Sequence, residues 1–269
     1  MKVEAWAAMI FWIGPRNLAH AEACLERRTD SFADIMAINA LTTRNLCGEF
    51  AGPNGVSERI RDFTYQFRPG SFYHLSGPEF GGKRLLLQML GLMIPPESGE
   101  IFVDGSLVTD LDIDHLGDIR NRKYGFLFSS PLLLPAFTVL ENVAMPLFKI
   151  TQVRAAEAKF ITDEILEIVG VSGIAGTSVE YLDLFHAMLA ALARALVHHP
   201  RILIAELVGT NMKATEAETF LDRLRVSSQR LGLTVIATFA PQVSWGQADI
   251  RLEIGEEGVE EFEKGGSQR

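Results

Sequence analysis

The segment that most restricts the fold of this chain runs from Phe72 to Leu92. A short apolar strand, Phe72 to Leu75, leads into the glycine-containing loop Gly77 to Gly82, then Lys83 and a strongly apolar stretch from Leu85. A strand, a tight glycine turn and a helix in that order place backbone N–H groups at a helix N-terminus, where phosphate is bound in nucleotide-binding folds. Such a unit needs further parallel strands beside it, so the rest of the chain is read for them.

They are present. Ile60 to Phe67 reads as an alternating strand, with a Pro69-Gly70 turn before the strand at Phe72. Asp104-Gly105, between Glu100–Val103 and Leu107–Val108, signals a hairpin. Tyr124 to Phe128, Ile202 to Ala205 and Leu233 to Thr238 are short apolar runs suited to buried parallel strands. Apolar spacing over 155–169 and 187–197 predicts helices, as does 215–230. Strands alternating with helices give an α/β doubly wound sheet interrupted by helices at about 130–196. Residues 1–37 read as an N-terminal extension with helical character, 38–255 as one domain, and 256–269 as an acidic tail, taken as solvated.

Bulk properties narrow the class. Hydrophobic residues make up 48% of the 269 and charged residues 22%, a globular composition. A net charge of -9 argues against an extended nucleic-acid surface. Cys24 and Cys47 are too few for a disulfide framework and fit a reducing compartment; no cysteine pair has metal-ligand spacing. Ala5 to Ile13 is apolar but too short to span a bilayer and poor as a signal peptide. Any membrane role therefore goes through a partner.

Gly77-Pro78, Gly82-Lys83, Gly99-Glu100-Ile101, Asp104-Gly105, Leu133-Leu134-Pro135, Thr138 to Val143, Ala193 to Leu196 and Pro200 to Ala205 stand in one order and spacing. In that order they resemble the ATP-binding subunit of ABC transporters over about 38–255, and Leu140 to Leu147 looks most like the lipoprotein-release and cell-division branch. The resemblance implies a RecA-like P-loop NTPase core, a helical subdomain and a small antiparallel β region. It also implies ATP and Mg²⁺ as cofactors, a second cassette (the same chain or another) and an ABC-type transmembrane subunit as partners. The location it implies is cytoplasmic, peripheral on the inner face of the membrane.

The chemistry-bearing positions depart from that family's pattern. Gly77, Gly81, Gly82 and Lys83 keep the phosphate loop, whereas Arg84 replaces the hydroxyl that holds Mg²⁺ and has no lone pair to give. Glu79 and Phe80 add charge and bulk to the loop. Glu206 falls at the magnesium-positioning Asp and Leu207 at the catalytic Glu; a one-residue deletion would instead put Glu206 in the catalytic role. Leucine cannot orient water. Arg84 and Glu206 are expected to form an ion pair in place of the metal, with two unrelated surface charges as the alternative.

The same loss recurs elsewhere. Ser129 replaces the glutamine that links magnesium to the membrane partner. The signature motif reads Leu182-Asp183-Leu184-Phe185-His186, so Leu184 and Phe185 stand where glycines allow backbone approach to phosphate. Phe239 replaces the switch histidine, and Lys213 the aspartate of the dimer-contact loop. Phe50 stands near where an aromatic ring stacks on adenine, or simply packs. His186, His198 and His199 do not make a metal set. The expectation is a pseudo-ATPase with ATP binding weak or absent and Mg²⁺ unsupported, which docks through the segment around Ser129, Leu133, Leu134 and Pro135. A slow ATPase working with a competent partner and a free regulatory scaffold are the alternatives.

Overall fold

A computed structural model describes residues 39–51, 57–151, 153–255 and 258–264. The extension at 1–37 lies outside the described residues. The strands that form the centre of the molecule are those with no polar face. β3 (Phe72–Ser76), β6 (Tyr124–Leu127), β7 (Ile202–Val208) and β8 (Thr234–Phe239) pair in parallel, and every residue of β8 is buried. A parallel sheet carries layers on both faces, so its strands read as continuous apolar runs rather than alternating ones. β9 (Ile250–Gly255) joins β3 in parallel, and the sheet order is β10-β9-β3-β8-β7-β6.

β10 (Gly258–Glu263) corrects the expected solvated tail: it pairs antiparallel with β9. Its acidic side chains have partners that the sequence did not reveal. Tyr65 Oη donates to Glu261 at 2.8 Å, and Arg68 lies 3.0 Å from Glu263. Charged side chains on an edge strand also discourage further pairing.

A second sheet, antiparallel in the order β2-β1-β4-β5, packs over the first. It comprises β1 (Leu41–Ala51), β2 (Ser57–Phe67), β4 (Ser98–Val103) and β5 (Ser106–Leu107). Asp104 and Gly105 both take positive φ, the geometry a two-residue hairpin needs. β1 escaped the sequence reading because register shifts at Thr43/Leu46 and Leu46/Gly48 break its alternation. One buried cluster lies between the two sheets around α1 (Lys83–Leu90), with Phe67, Tyr73, Leu86 and Ile236 among its members.

The second cluster joins the other face of the parallel sheet to helices. α3 (Val139–Ile150) opens with a capping box between Thr138 and Glu141. α4 (Ala155–Val169) and α5 (Leu184–Leu196) follow, α5 being alanine- and leucine-rich and largely buried. These helices occupy the region expected to be helical. α6 (Ala214–Leu231) precedes β8. α2 (Ile113–Lys123) went unread because its apolar stripe is short: Ile113, Leu116 and Ile119 stand at helical spacing in a mostly polar helix, none fully buried, with Leu116 and Ile119 packed against the core. It is also held by an Asp112 N-cap and by Arg120, which donates to the Leu92 carbonyl at 2.6 Å.

Candidate functional site

The loop after β3 keeps the conformation of a phosphate loop because its glycines are irreplaceable in place. A Cβ on Gly77 would lie 2.3 Å from the Ile254 carbonyl, and one on Gly82 2.5 Å from the Arg59 carbonyl; both residues take positive φ. Gly81 is closed in by Pro78. Phe80, at the usual glycine position, sits at φ 62 with its ring about half exposed. A left-handed aromatic residue is uncommon and costs on the order of 1 kcal/mol or more.

The loop opens onto a cleft of ≈ 650 Å³ that also takes in Glu206, Leu207, Thr210, Thr238 and Phe239 from the ends of β7 and β8. Ligands of parallel α/β sheets bind in such a crevice, beyond the carboxyl ends of the strands. Within it, Arg84 Nε lies 3.0 Å from Glu206 Oε1, which meets the expectation of a direct pair. Glu206 is largely covered, whereas the Arg84 side chain is 64% exposed. Leu207 takes φ 49, its N–H donates to Thr238 Oγ1 at 2.8 Å, and its side chain supplies no group that could orient water. At the positions where the family holds magnesium, the hydroxyl is replaced by the Arg84 guanidinium and Glu206 is paired with it; Glu58 and Glu79 are the other carboxylates that line the cleft.

Lys83 lines the cleft with its amine turned onto the loop. Its Nζ donates to the Gly77 and Pro78 carbonyls at 2.7 and 3.2 Å. Phe239 is buried and stacks on His74, ring centroids 4.2 Å apart. Burial, with the charges of Arg251 and Lys83 adding to it, pushes the His74 imidazole down to about 4. His74 and Glu58 line the cleft as well, and the sequence reading named neither. Glu58 lies on β2, well before the loop in the chain, and His74 within the strand that leads into it, so only the packing of β2 and β3 shows that both face the cleft.

The other candidate residues lie elsewhere. Asp183 caps α5, accepting the His186 N–H at 2.8 Å, with its carboxylate 2.7 Å from His186 Nδ1. The His186 N–H holds this carboxyl below its ordinary value against the opposing effect of burial, with the His186 imidazole adding to the lowering. Leu184 and Phe185 pack against the helical core. Phe50 is about half exposed on β1, in register with Glu58, and is not among the residues lining the cleft.

Ser129, Leu133, Leu134 and Pro135 lie between β6 and α3 in a loop tied from three sides. Arg194 donates to the Leu132 and Pro131 carbonyls, Ser178 to Pro135, and buried Asn142 brackets Leu134. Two apolar grooves of ≈ 330 Å³ each adjoin this loop and α3. One is lined by Phe126, Phe128, Met145 and Ile150, the other by Phe137, Leu140, Met145 and Phe148. Phe148, on the wall of the second groove, is 57% exposed, and Leu132 in the loop 60%. Among the described residues, no helix is long and apolar enough to cross a membrane.

A parallel sheet with a glycine loop between its strand end and a helix, a cleft beyond those ends and a helical layer beside it define a P-loop cassette. The chain belongs to the ABC transporter family, which it matches over residues 60–206. It is 30% identical over 182 residues to the lipoprotein-releasing system ATP-binding protein LolD of Bacteroides thetaiotaomicron, covering 68% of this chain and 83% of that protein. It is 31% identical over 205 residues to an uncharacterized ABC transporter ATP-binding protein of Thermotoga maritima, covering 76% and 87%. Among solved structures, a dimeric ATP-binding cassette in a post-hydrolysis state with ADP and Pi superposes with a TM-score of 0.73 at 24% identity. That match covers 84% of this chain and 100% of the other, and it shows the shared fold: a RecA-like core with a helical subdomain.

Proposed function

We propose that this chain is an ABC-transporter ATP-binding subunit that has kept the cassette as a docking frame and does not hydrolyse ATP. The observation that carries the reading is the Arg84–Glu206 pair at 3.0 Å beside Leu207. In-line attack on a γ-phosphate needs a cation and a group that positions water, and neither has a side chain to serve it here. Asp183 at the head of α5 and Glu79 in the glycine loop both set negative charge where phosphate would come, which is unfavourable. Cofactor use is accordingly weak or absent ATP binding without Mg²⁺.

Docking has its own support. The apolar grooves along α3 are built and open, although the phosphate side has lost its chemistry; they flank the loop that carries Ser129, Leu133, Leu134 and Pro135, none of which lines either groove. We assign them to an ABC-type transmembrane subunit, which would hold the chain at the inner face of the cell membrane, and assign to the cassette a second copy or a paired cassette. The retained glycine geometry and Lys83 favour one rival, a weak ATPase completed by a competent partner.

Phosphate release from Mg²⁺-ATP by the full-length chain, alone and in purified complex with its partner, decides between them. The expected rate is the no-enzyme background, unchanged by Lys83→Ala; turnover that Lys83→Ala abolishes overturns the reading. Phe148→Glu is expected to release the chain from membranes while leaving its thermal midpoint within a few degrees.

A further inference from the structure

Three groups at the glycine loop that an anion would use are engaged by the chain itself. The amine of Lys83 is turned onto loop carbonyls, and the guanidinium of Arg84 onto Glu206. The third engagement comes from another sheet. Leu85, in the first turn of α1, donates its N–H to Glu58 Oε2 at 3.1 Å, across 27 residues of sequence. First-turn amides have no partner within the helix and carry the positive end of its dipole, so a carboxylate there is stabilised as a phosphate would be.

This contact follows from the backbone rather than from a side chain that happens to reach. α1 has no side-chain cap and no acidic residue in its first turn. Gly82, lacking a Cβ, lets the Arg59 carbonyl approach the loop, and that approach sets Glu58, the preceding residue of β2, over the helix end. Glu58 is partly buried and forms part of the cleft wall.

We propose that Glu58 is a built-in stand-in for phosphate: an internal carboxylate that holds the first turn of α1 and competes with the phosphate groups of a nucleotide. The inference deepens the reading of the loop as a former ATP site and rests on it. Removing the carboxylate frees an amide and takes a negative charge from the path of the incoming anion.

The test is calorimetric titration of the full chain with inorganic pyrophosphate and, separately, with ATP, both without divalent cation. The unaltered chain is expected to bind both no more tightly than millimolar. Glu58→Ala should tighten both at least tenfold, and a further Lys83→Ala should reverse the gain. Glu58→Gln keeps the size and one acceptor but removes the charge, so it should give an intermediate gain. It decides alone if Glu58→Ala does not fold.

Affinities of both variants within twofold of the unaltered chain overturn the proposal, whether that common value is tight or weak. A gain for ATP without one for pyrophosphate also overturns it, because the effect would then lie at the base and not at phosphate. Turnover by the unaltered chain would instead strike the pseudo-ATPase reading, and unchanged affinity in the variants leaves that reading intact.

Discussion

Asn142 is the residue through which the loop next to the proposed docking grooves can be tested most directly. It is 1% exposed. Its Oδ1 accepts the Leu134 N–H at 2.7 Å, and its Nδ2 donates to the Leu134 and Thr138 carbonyls, each at 3.0 Å. A fourth contact, to the Phe137 carbonyl at 3.4 Å, is too long to weigh equally. Each sound bond contributes about 1 kcal/mol net, and a buried group left unpaired costs about 1–3 kcal/mol.

Asn142→Ala, which removes three sound bonds, should therefore cost about 2–4 kcal/mol. Asn142→Asp keeps the shape and the acceptor but sets a carboxylate against two carbonyl oxygens, so at pH 8 it should cost at least as much. Burial and those carbonyls raise the new carboxyl's folded pKa above its unfolded value. Its protonated form is thus favoured in the native state, and the destabilisation should shrink as pH falls. Urea unfolding at pH 8 and pH 5.5 measures both effects, and amide exchange at Leu134 should accelerate. A loss below about 1 kcal/mol, or an Asp variant milder than the Ala variant at pH 8, would refute the reasoning.

Two further outcomes follow from the cleft. Arg84→Ala should cost less than about 1 kcal/mol and less again in 0.5 M salt, because the guanidinium is mostly exposed and screened; a loss above about 2 kcal/mol would mean that the pair holds the fold. For His74, the folded pKa of about 4 lies below the ordinary 6.5. The unfolded chain then binds the extra proton first, so stability is whole above pH 6.5 and falls by up to about 3 kcal/mol as pH drops to about 4. His74→Phe should flatten that part of the pH–stability curve, as followed by thermal unfolding.

The sequence alone determined the parallel sheet and which side chains stand at the positions where the family carries its chemistry. Runs such as Ile202–Ala205 and Leu233–Thr238 are apolar on both faces, which only a covered sheet can use, and a substitution such as Arg84 or Leu207 removes a functional group whatever surrounds it. It also foresaw the Arg84–Glu206 pair, because the ends of adjacent elements constrain both residues locally.

Tertiary structure decided the rest. α2 has only the short stripe Ile113, Leu116 and Ile119 in a mostly polar helix and β1 is bulged, so neither period stands out; the acidic run became a paired edge strand because Tyr65 and Arg68, far off in the chain, face it. Glu58 is one carboxylate among 34 acidic residues in the sequence. Only the approach of β2 to Gly82 sets it on the first turn of α1, and contacts between sheets leave no local pattern by which to read them.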